Sequence, residues 1–267
     1  MGNPVSRPRL LDLFCGAGGA AMGYHRAGFD VVGIDIEPQP RYPFDFHQGD
    51  AMTWRLDEYD VITASPPCHD HSPATGRSGS HNRHGTGWML AATIDRLAGL
   101  SIPWVVENVD RARFAATVYR FRLCGSSFGL DVRRHRWFAT NTAVLAPPCA
   151  HHWQTPRFRA TNRDHPAGYL SPVVHVTGHP NHHGDAARRA TAMGIDWMTS
   201  RELTQAIPPD YTEWIGRRLI ESITAVQTYR AVTLGSRGQG DPATAGRSQV
   251  KARPRHQGVL HPGMPAG

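Results

Sequence analysis

A chain of 267 residues, 40% of them apolar, is long enough for one sizeable α/β core with at most a small accessory region. Its net charge of +7 favours a polyanionic partner such as nucleic acid, although 28 arginines against the single Lys251 would also follow from a GC-rich coding sequence. The four cysteines, Cys15, Cys68, Cys124 and Cys149, form no Cys-x-x-Cys pair, no run resembles a membrane span and no secretory leader is visible, so the expectation is a cytoplasmic protein without a disulfide framework.

Arg9 to Phe14 is a short apolar run, Cys15-Gly-Ala-Gly-Gly19 a glycine turn, and Ala20 to Ala27 a helix. A second strand, Asp30 to Asp35, follows Gly28, and a weaker one spans Phe44 to Gln48 before Gly49-Asp50. Asp60 to Ala64 is the fourth strand, closed by Pro66-Pro67 ahead of Cys68. A polar, glycine- and histidine-rich stretch from Thr75 to Gly87 is expected to be mobile, and Trp88 to Leu100 to be a helix with Met89, Leu90, Thr93, Ile94 and Leu97 on its core face. Pro103 to Asn108, Arg120 to Cys124 and Arg136 to Thr140 are further strands. The alternation of strands and helices predicts a doubly wound, Rossmann-like parallel sheet covered on both faces.

The pattern weakens between Asn141 and Ser200, where seven histidines lie from His151 to His183 and the best strand is Val173 to Val176. Helices are expected from Ser200 to Ala206 and from Pro209 to about Val232, the second with Ile215, Leu219, Ile223 and Val226 on one face. The domain reading is therefore 1–140 as the main α/β domain, 141–199 as an insert, 200–232 as helices completing the first domain, and 233–267 as a disordered basic tail.

The candidate chemistry lies at strand ends. A stiff Pro-Pro turn would hold the Cys68 thiol at the carboxyl edge of the sheet, where open α/β folds bind ligands; the same string is also an ordinary strand exit with a buried thiol. Gly16, Gly18 and Gly19 leave the approach to a helix N-terminus clear, and Asp35, 19 residues after Gly16, has the spacing of an acid that meets ribose hydroxyls. Asp50 could accept from an adenine amino group or simply cap a turn. The glycine pattern is not G-x-G-x-x-G, so a nucleoside with a small charged tail suits it better than a dinucleotide, and S-adenosylmethionine matches all three features.

These pieces, Asp12-Leu-Phe-Cys-Gly-Ala-Gly-Gly19, Gly49-Asp50, Pro66-Pro-Cys68, Glu107-Asn-Val109 and Arg133-Arg-His-Arg136, resemble the ordered motifs of the DNA cytosine-5 methyltransferases. The resemblance runs from about Arg9 to Phe138 and resumes from Arg201 to Leu219. It implies that Cys68 attacks carbon 6 of a flipped-out cytosine, that Glu107 holds or protonates ring nitrogen 3, and that Arg134 and Arg136 steady the base, the backbone or the catalytic loop; a solvated basic strand entry is the other reading of the two arginines. It also places Phe14, Ile36 and Pro67 with Gly16, Gly18, Gly19, Asp35 and Asp50 around S-adenosylmethionine. The insert would then be a reduced target-recognition region acting on double-stranded DNA. Arg157, Arg159, Arg163, Arg188 and Arg189 are either phosphate contacts or ordinary surface arginines.

Three positions depart from the family pattern. His69 and Val132 stand where the family often has glutamine, and Tyr211-Thr-Glu-Trp-Ile-Gly216 replaces its late Gly-Asn motif. No metal site is expected: His69-Asp70-His71 diverge in direction, and Cys149 with His151, His152 and one of His175, His179, His182 or His183 matches no standard spacing. Those side chains read as polar, partly DNA-facing loop residues. The expected enzyme is monomeric, with a cognate restriction enzyme as a further partner. A cytosine-5 RNA methyltransferase and a non-catalytic DNA-binding homologue are the alternatives, the second disfavoured by an intact Cys68, Glu107 and glycine turn.

Overall fold

Short runs such as Leu10-Leu11, Val31-Val32, Val61-Ile62 and Val105-Val106 place neighbouring residues on opposite faces of a strand, so each face acquires its own core. In the computed structural model, residues 6–68, 87–110, 112, 114, 118–154, 173–176 and 186–237 are described. The strands are β1 (Arg9–Leu13), β2 (Asp30–Asp35), β3 (Asp45–Gln48), β4 (Val61–Ala64), β5 (Trp104–Val109), β6 (Tyr119–Leu123) and β7 (Arg136–Thr140). They form one sheet in the order β3-β2-β1-β4-β5-β7-β6.

The helices are α1 (Gly19–Ala27), α2 (Met89–Ala98), α3 (Ala186–Met193), α4 (Ser200–Gln205) and α5 (Pro209–Arg237). Leu10, Val31, Val61 and Val105 pack with Tyr24 of α1 and with Tyr211, Ile215 and Leu219 of α5. Leu11, Val32, Ile62 and Val106 face the other way and pack with Leu90, Ile94 and Leu97 of α2. Two layers of helix therefore cover the sheet, as the alternation predicts. A third cluster, Val132, Val174, Val176, Met193, Ile195 and Leu203, lies under α3 and α4.

Four expectations need correction. The sheet is mixed: β1, β2, β3, β4 and β5 pair in parallel, but β7 runs antiparallel to both β5 and β6. Val173 to Val176 forms no strand; Val174 donates one backbone bond to Asp131 O at 2.6 Å and buries its side chain in the third cluster. The 141–199 region contains α3, whose Arg189 is 6% exposed and bonded to Ser200 Oγ, so Arg189 is neither a surface residue nor a phosphate contact. Helix α5 continues to Arg237, past the point where a tail was expected to begin.

The chain divides into two compact units, Met1–Val226 and Gln227–Gly267. The second is helical as far as Arg237. Most of the Thr75 to Gly87 stretch, His69, Arg157, Arg159, Arg163, His179, His182, His183 and residues 238–267 lie outside the described residues, as does the Val226 side chain. Among the described residues no helix is long and apolar enough to cross a membrane.

Candidate active site

Parallel strands leave the sheet at one edge, and that edge gathers the residues singled out in the sequence. Strand β4 is buried throughout and Ser65 N extends its pairing to Leu13 O at 3.1 Å. Pro66 and Pro67 then turn the chain. Asn108, itself 1% exposed, fixes that turn by donating from Nδ2 to Pro66 O at 3.0 Å. The half-buried Cys68 follows directly.

The antiparallel course of β7 supplies the opposing charge. Glu107 is paired with Phe138 and Val109 with Arg136, so Arg136 and Glu107 are diagonal neighbours on one face of the sheet. A long side chain spans that diagonal, and Arg136 Nε lies 2.9 Å from Glu107 Oε1. Burial pushes the Glu107 pKa up, while the Arg136 and Arg134 guanidiniums and a hydrogen bond from Ser65 pull it back. Burial also pushes the Cys68 thiol up and the Glu107 carboxylate adds to this, with Arg136 and Arg134 opposing. Thiol, carboxyl and two guanidiniums thus form one coupled set.

The paired arginines differ in what they touch. The Arg134 guanidinium donates to three main-chain carbonyls: from Nε to Ala206 O at 2.8 Å, from Nη1 to Val176 O at 2.8 Å and from Nη2 to Thr204 O at 2.7 Å. Burial, followed by repulsion from Arg136, lowers its pKa to about 9. Its backbone has φ 32°, an unusual value for a side chain of this size. The Tyr211 hydroxyl holds it there through Arg134 O at 3.0 Å and Arg133 O at 3.2 Å. Arg134 therefore fastens loop and helix segments behind the site, and Arg136 is the arginine whose side chain meets Glu107.

The glycine turn between β1 and α1 sorts its glycines into two kinds. At Gly18 (φ 84°) a Cβ would lie 2.7 Å from Pro43 Cδ, and at Gly19 one would lie 2.6 Å from Ile207 O. Those two allow close packing within the protein. At Gly16 (φ 49°) a Cβ would meet nothing within 4 Å, so this is the glycine that leaves room for a ligand. Phe14 beside it also has positive φ, 58°. Asp35 fastens the turn, accepting from Gly16 N and Glu37 N, both at 3.0 Å. Ile36 is 66% exposed at the end of β2, a large apolar side chain next to the open turn. Exposed Asp50 accepts from Met52 N at 2.8 Å, so it serves as a turn cap while keeping a second carboxylate oxygen. An apolar platform, an acid and a side-chain-free turn fit a nucleoside with a short tail.

Residues 8–113 match the family model of the C-5 cytosine-specific DNA methylase. The match covers well under half of the chain, and it carries the glycine turn, Cys68 and Glu107. The chain is 30% identical over 122 residues to the Type II methyltransferase M.HgiDI of Herpetosiphon aurantiacus, covering 40% of this chain and 38% of that relative. It therefore spans well under half the length of that protein. The match to M.HgiGI from the same organism is 28% identical over 122 residues and covers 40% of this chain and 94% of the relative. Among solved structures, the S. pombe Dnmt2 methyltransferase aligns with a TM-score of 0.53 over 81% of this chain and 99% of that chain, at 13% identity, a likeness of fold.

Phe14, Gly16, Gly18, Gly19, Asp35, Ile36, Asp50, Pro67, Cys68 and Glu107 all fall inside the matched segment; Arg134 and Arg136 lie beyond it. Sequence reasoning missed the supporting residues. Asn108, Ser65 and Tyr211 hold the Pro-Pro turn, the carboxyl and the Arg134 backbone. Asn108 carried a signal, being a buried amide within a strand, where a polar side chain needs a partner. Thr212 belongs to the string that replaces the family's late Gly-Asn motif, and its Oγ1 donates to Ala20 O at 2.8 Å, tying α5 to α1.

Proposed function

We propose that the chain transfers a methyl group to carbon 5 of cytosine in DNA, through a covalent adduct with Cys68. The observation that carries this reading is the convergence of the Cys68 turn, the buried Glu107 carboxyl and Arg136 at one sheet edge. S-adenosylmethionine, when bound, supplies an electrophilic methyl group. Gly16 and Phe14 would border it, Asp35 and Asp50 would meet its polar groups, and Ile36 and Pro67 would flank its ring.

Carbon 5 of cytosine is a poor nucleophile, and addition of a thiolate at carbon 6 makes the ring enamine-like. Cys68 makes that attack. Glu107, its pKa raised by burial, carries a proton toward ring nitrogen 3, so that charge does not build up in the ring. Arg136 fixes the carboxyl's orientation. Once carbon 5 has gained the methyl group, loss of its proton to solvent restores the carbon 5–carbon 6 double bond and expels the Cys68 thiolate, and the proton on nitrogen 3 returns to Glu107. The target atom is inaccessible within a duplex, so the nucleotide must be flipped out. The reading takes the protein as a monomer acting on double-stranded DNA, with residues 141–199 contributing a reduced recognition surface. A restriction enzyme of the same specificity would be its partner.

The test is transfer of labelled methyl from S-adenosylmethionine to matched DNA and RNA by wild type, Cys68→Ser and Cys68→Ala. Label in cytosine of DNA, lost in both variants, is expected. Label in RNA alone would move the substrate class, full activity in the variants would remove Cys68, and tight DNA binding by an inert wild type would remove the enzyme.

A further inference from the structure

We propose that Cys124, His135, Cys149 and His151 form a tetrahedral zinc site that clips the β6–β7 hairpin to the segment following β7. One ligand atom from each of these four residues lies within 4.8 Å of every other. Cys124 Sγ is 3.2 Å from His151 Nε2, and Cys149 Sγ is 3.5 Å from His135 Nε2. Zinc bonds of 2.3 Å to sulfur and 2.0–2.1 Å to nitrogen require ligand separations of about 3.3–3.8 Å in a tetrahedron. The widest pair therefore closes by roughly 1 Å on binding. Two thiolates and two imidazoles are a donor set suited to zinc, and a closed set of four is structural rather than catalytic.

Sheet pairing builds half of this site. β6 and β7 are antiparallel with Leu123 opposite Arg136, so the next positions outward, Cys124 and His135, face one another. Gly125 N bonds to Arg133 O at 2.9 Å, continuing the ladder past the strand ends. The other half is delivered by a pinned return loop. Ser127 Oγ donates to Pro148 O at 2.8 Å, Ala150 N donates to Ser126 Oγ at 3.0 Å, and Trp153 Nε1 donates to Ser126 O at 3.2 Å. Cys149 and His151 therefore lie against the hairpin end. Ser126 Oγ, 3.1 Å from Cys124 Sγ, is placed to donate to a bound thiolate. Cys124 is buried while Cys149 is exposed, which gives the ion an anchored side and an entry side. The site is separate from the methyl-transfer chemistry, but His135 lies between Arg134 and Arg136, so a metal there would hold both arginines' backbone.

The test is the metal content of the full chain after expression in zinc-replete medium and gel filtration, measured by mass spectrometry, with cobalt substitution as a second readout. Expected are about one zinc per chain, tetrahedral cobalt absorption with a thiolate charge-transfer band, loss of both in Cys149→Ser and Cys124→Ser, and retention in the exposed neighbour variant His152→Ala. Cys149 is at the surface, so its variant remains informative if Cys124→Ser does not fold. A wild type that holds only trace zinc and gives no tetrahedral cobalt spectrum overturns the proposal. So does a Cys149→Ser variant that binds like wild type, or a metal-free chain whose Cys124 and Cys149 are joined as a disulfide.

Discussion

The two sides of the sheet carry their polar residues by different routes. On the parallel side each functional group follows its own strand in sequence: the glycine turn after β1, Asp35 and Ile36 at the end of β2, Cys68 after β4, and Glu107 in β5. On the antiparallel side the groups meet only because strands pair in a particular register. Cys124 comes opposite His135, and Arg134 bonds to carbonyls 42 to 72 positions away. Parallel sheets collect strand ends at one edge whatever the loops do; an antiparallel pair needs its register known before any neighbour can be named.

The largest expected effect tests the parallel side. Glu107→Gln should lower the methyl-transfer rate about 10²–10⁴-fold, the range for removing a positioned general acid. Its side-chain oxygen can still accept from Arg136, so the melting temperature should move little. Single-turnover rates with a thermal melt check both parts. A rate within a few-fold of wild type would reduce Glu107 to a partner of Arg136.

The next effect tests the antiparallel side. Arg134→Leu removes three charge-assisted bonds to carbonyls of separate segments, at a cost of about 3–5 kcal/mol of unfolding free energy. Arg134→Lys should recover less than half of that, since a compact ammonium lacks the guanidinium's planar fork. Denaturant titration measures it. If the leucine variant is as stable as wild type but inactive, Arg134 belongs with the chemistry rather than with the scaffold.

The same contrast explains what was legible beforehand. Short continuous apolar runs gave β1, β2, β4 and β5 to within a residue or so, because burial on both faces leaves little freedom. Leu90, Thr93, Ile94 and Leu97 revealed the core face of α2 for the same reason. The reversal of β7 was hidden because Arg136 to Thr140 has the same apolar pattern in either direction. Val173 to Val176 looked like a strand because three of its four residues are β-branched valines, yet no partner strand lies beside them among the described residues. Cys149 and His151 were noticed as donors, but their partners were sought later in the chain rather than at the preceding hairpin. Asp50 and Asp35 were read toward a ligand, and both also fasten local turns.

A smaller effect concerns Asp12, under the glycine turn. Burial, only partly offset by a 3.1 Å hydrogen bond from Thr63 Oγ1, raises its pKa from 3.8 to about 7. A buried acid with a raised pKa binds its proton in the folded state and releases it in the unfolded state between those values, so stability is full below about pH 4 and falls until about pH 7. The drop from this group is about 4 kcal/mol, since its two pKa values differ by roughly three at 1.36 kcal/mol each. Asp12→Asn should remove that slope. Denaturant midpoints at pH 5 and pH 8 for both proteins decide it, and parallel pH profiles would mean that Asp12 stays ionised.

The smallest effect separates a glycine kept for the fold from one kept for a ligand. Gly16→Ala places a side chain at φ 49° in open space, which costs about 1–2 kcal/mol for the left-handed backbone and no clash. Gly99→Ala, also in open space but with φ −80°, costs nothing comparable. If Gly16 borders the bound cofactor, its methyl group occupies ligand volume, and S-adenosylmethionine should bind at least about tenfold more weakly, equivalent to 1.4 kcal/mol. Gly99→Ala should leave affinity unchanged. Calorimetric titration of both variants reads the difference directly. Unaltered affinity in Gly16→Ala would mean that the turn is open for folding alone, and the cofactor would have to be sought away from the first strand's end.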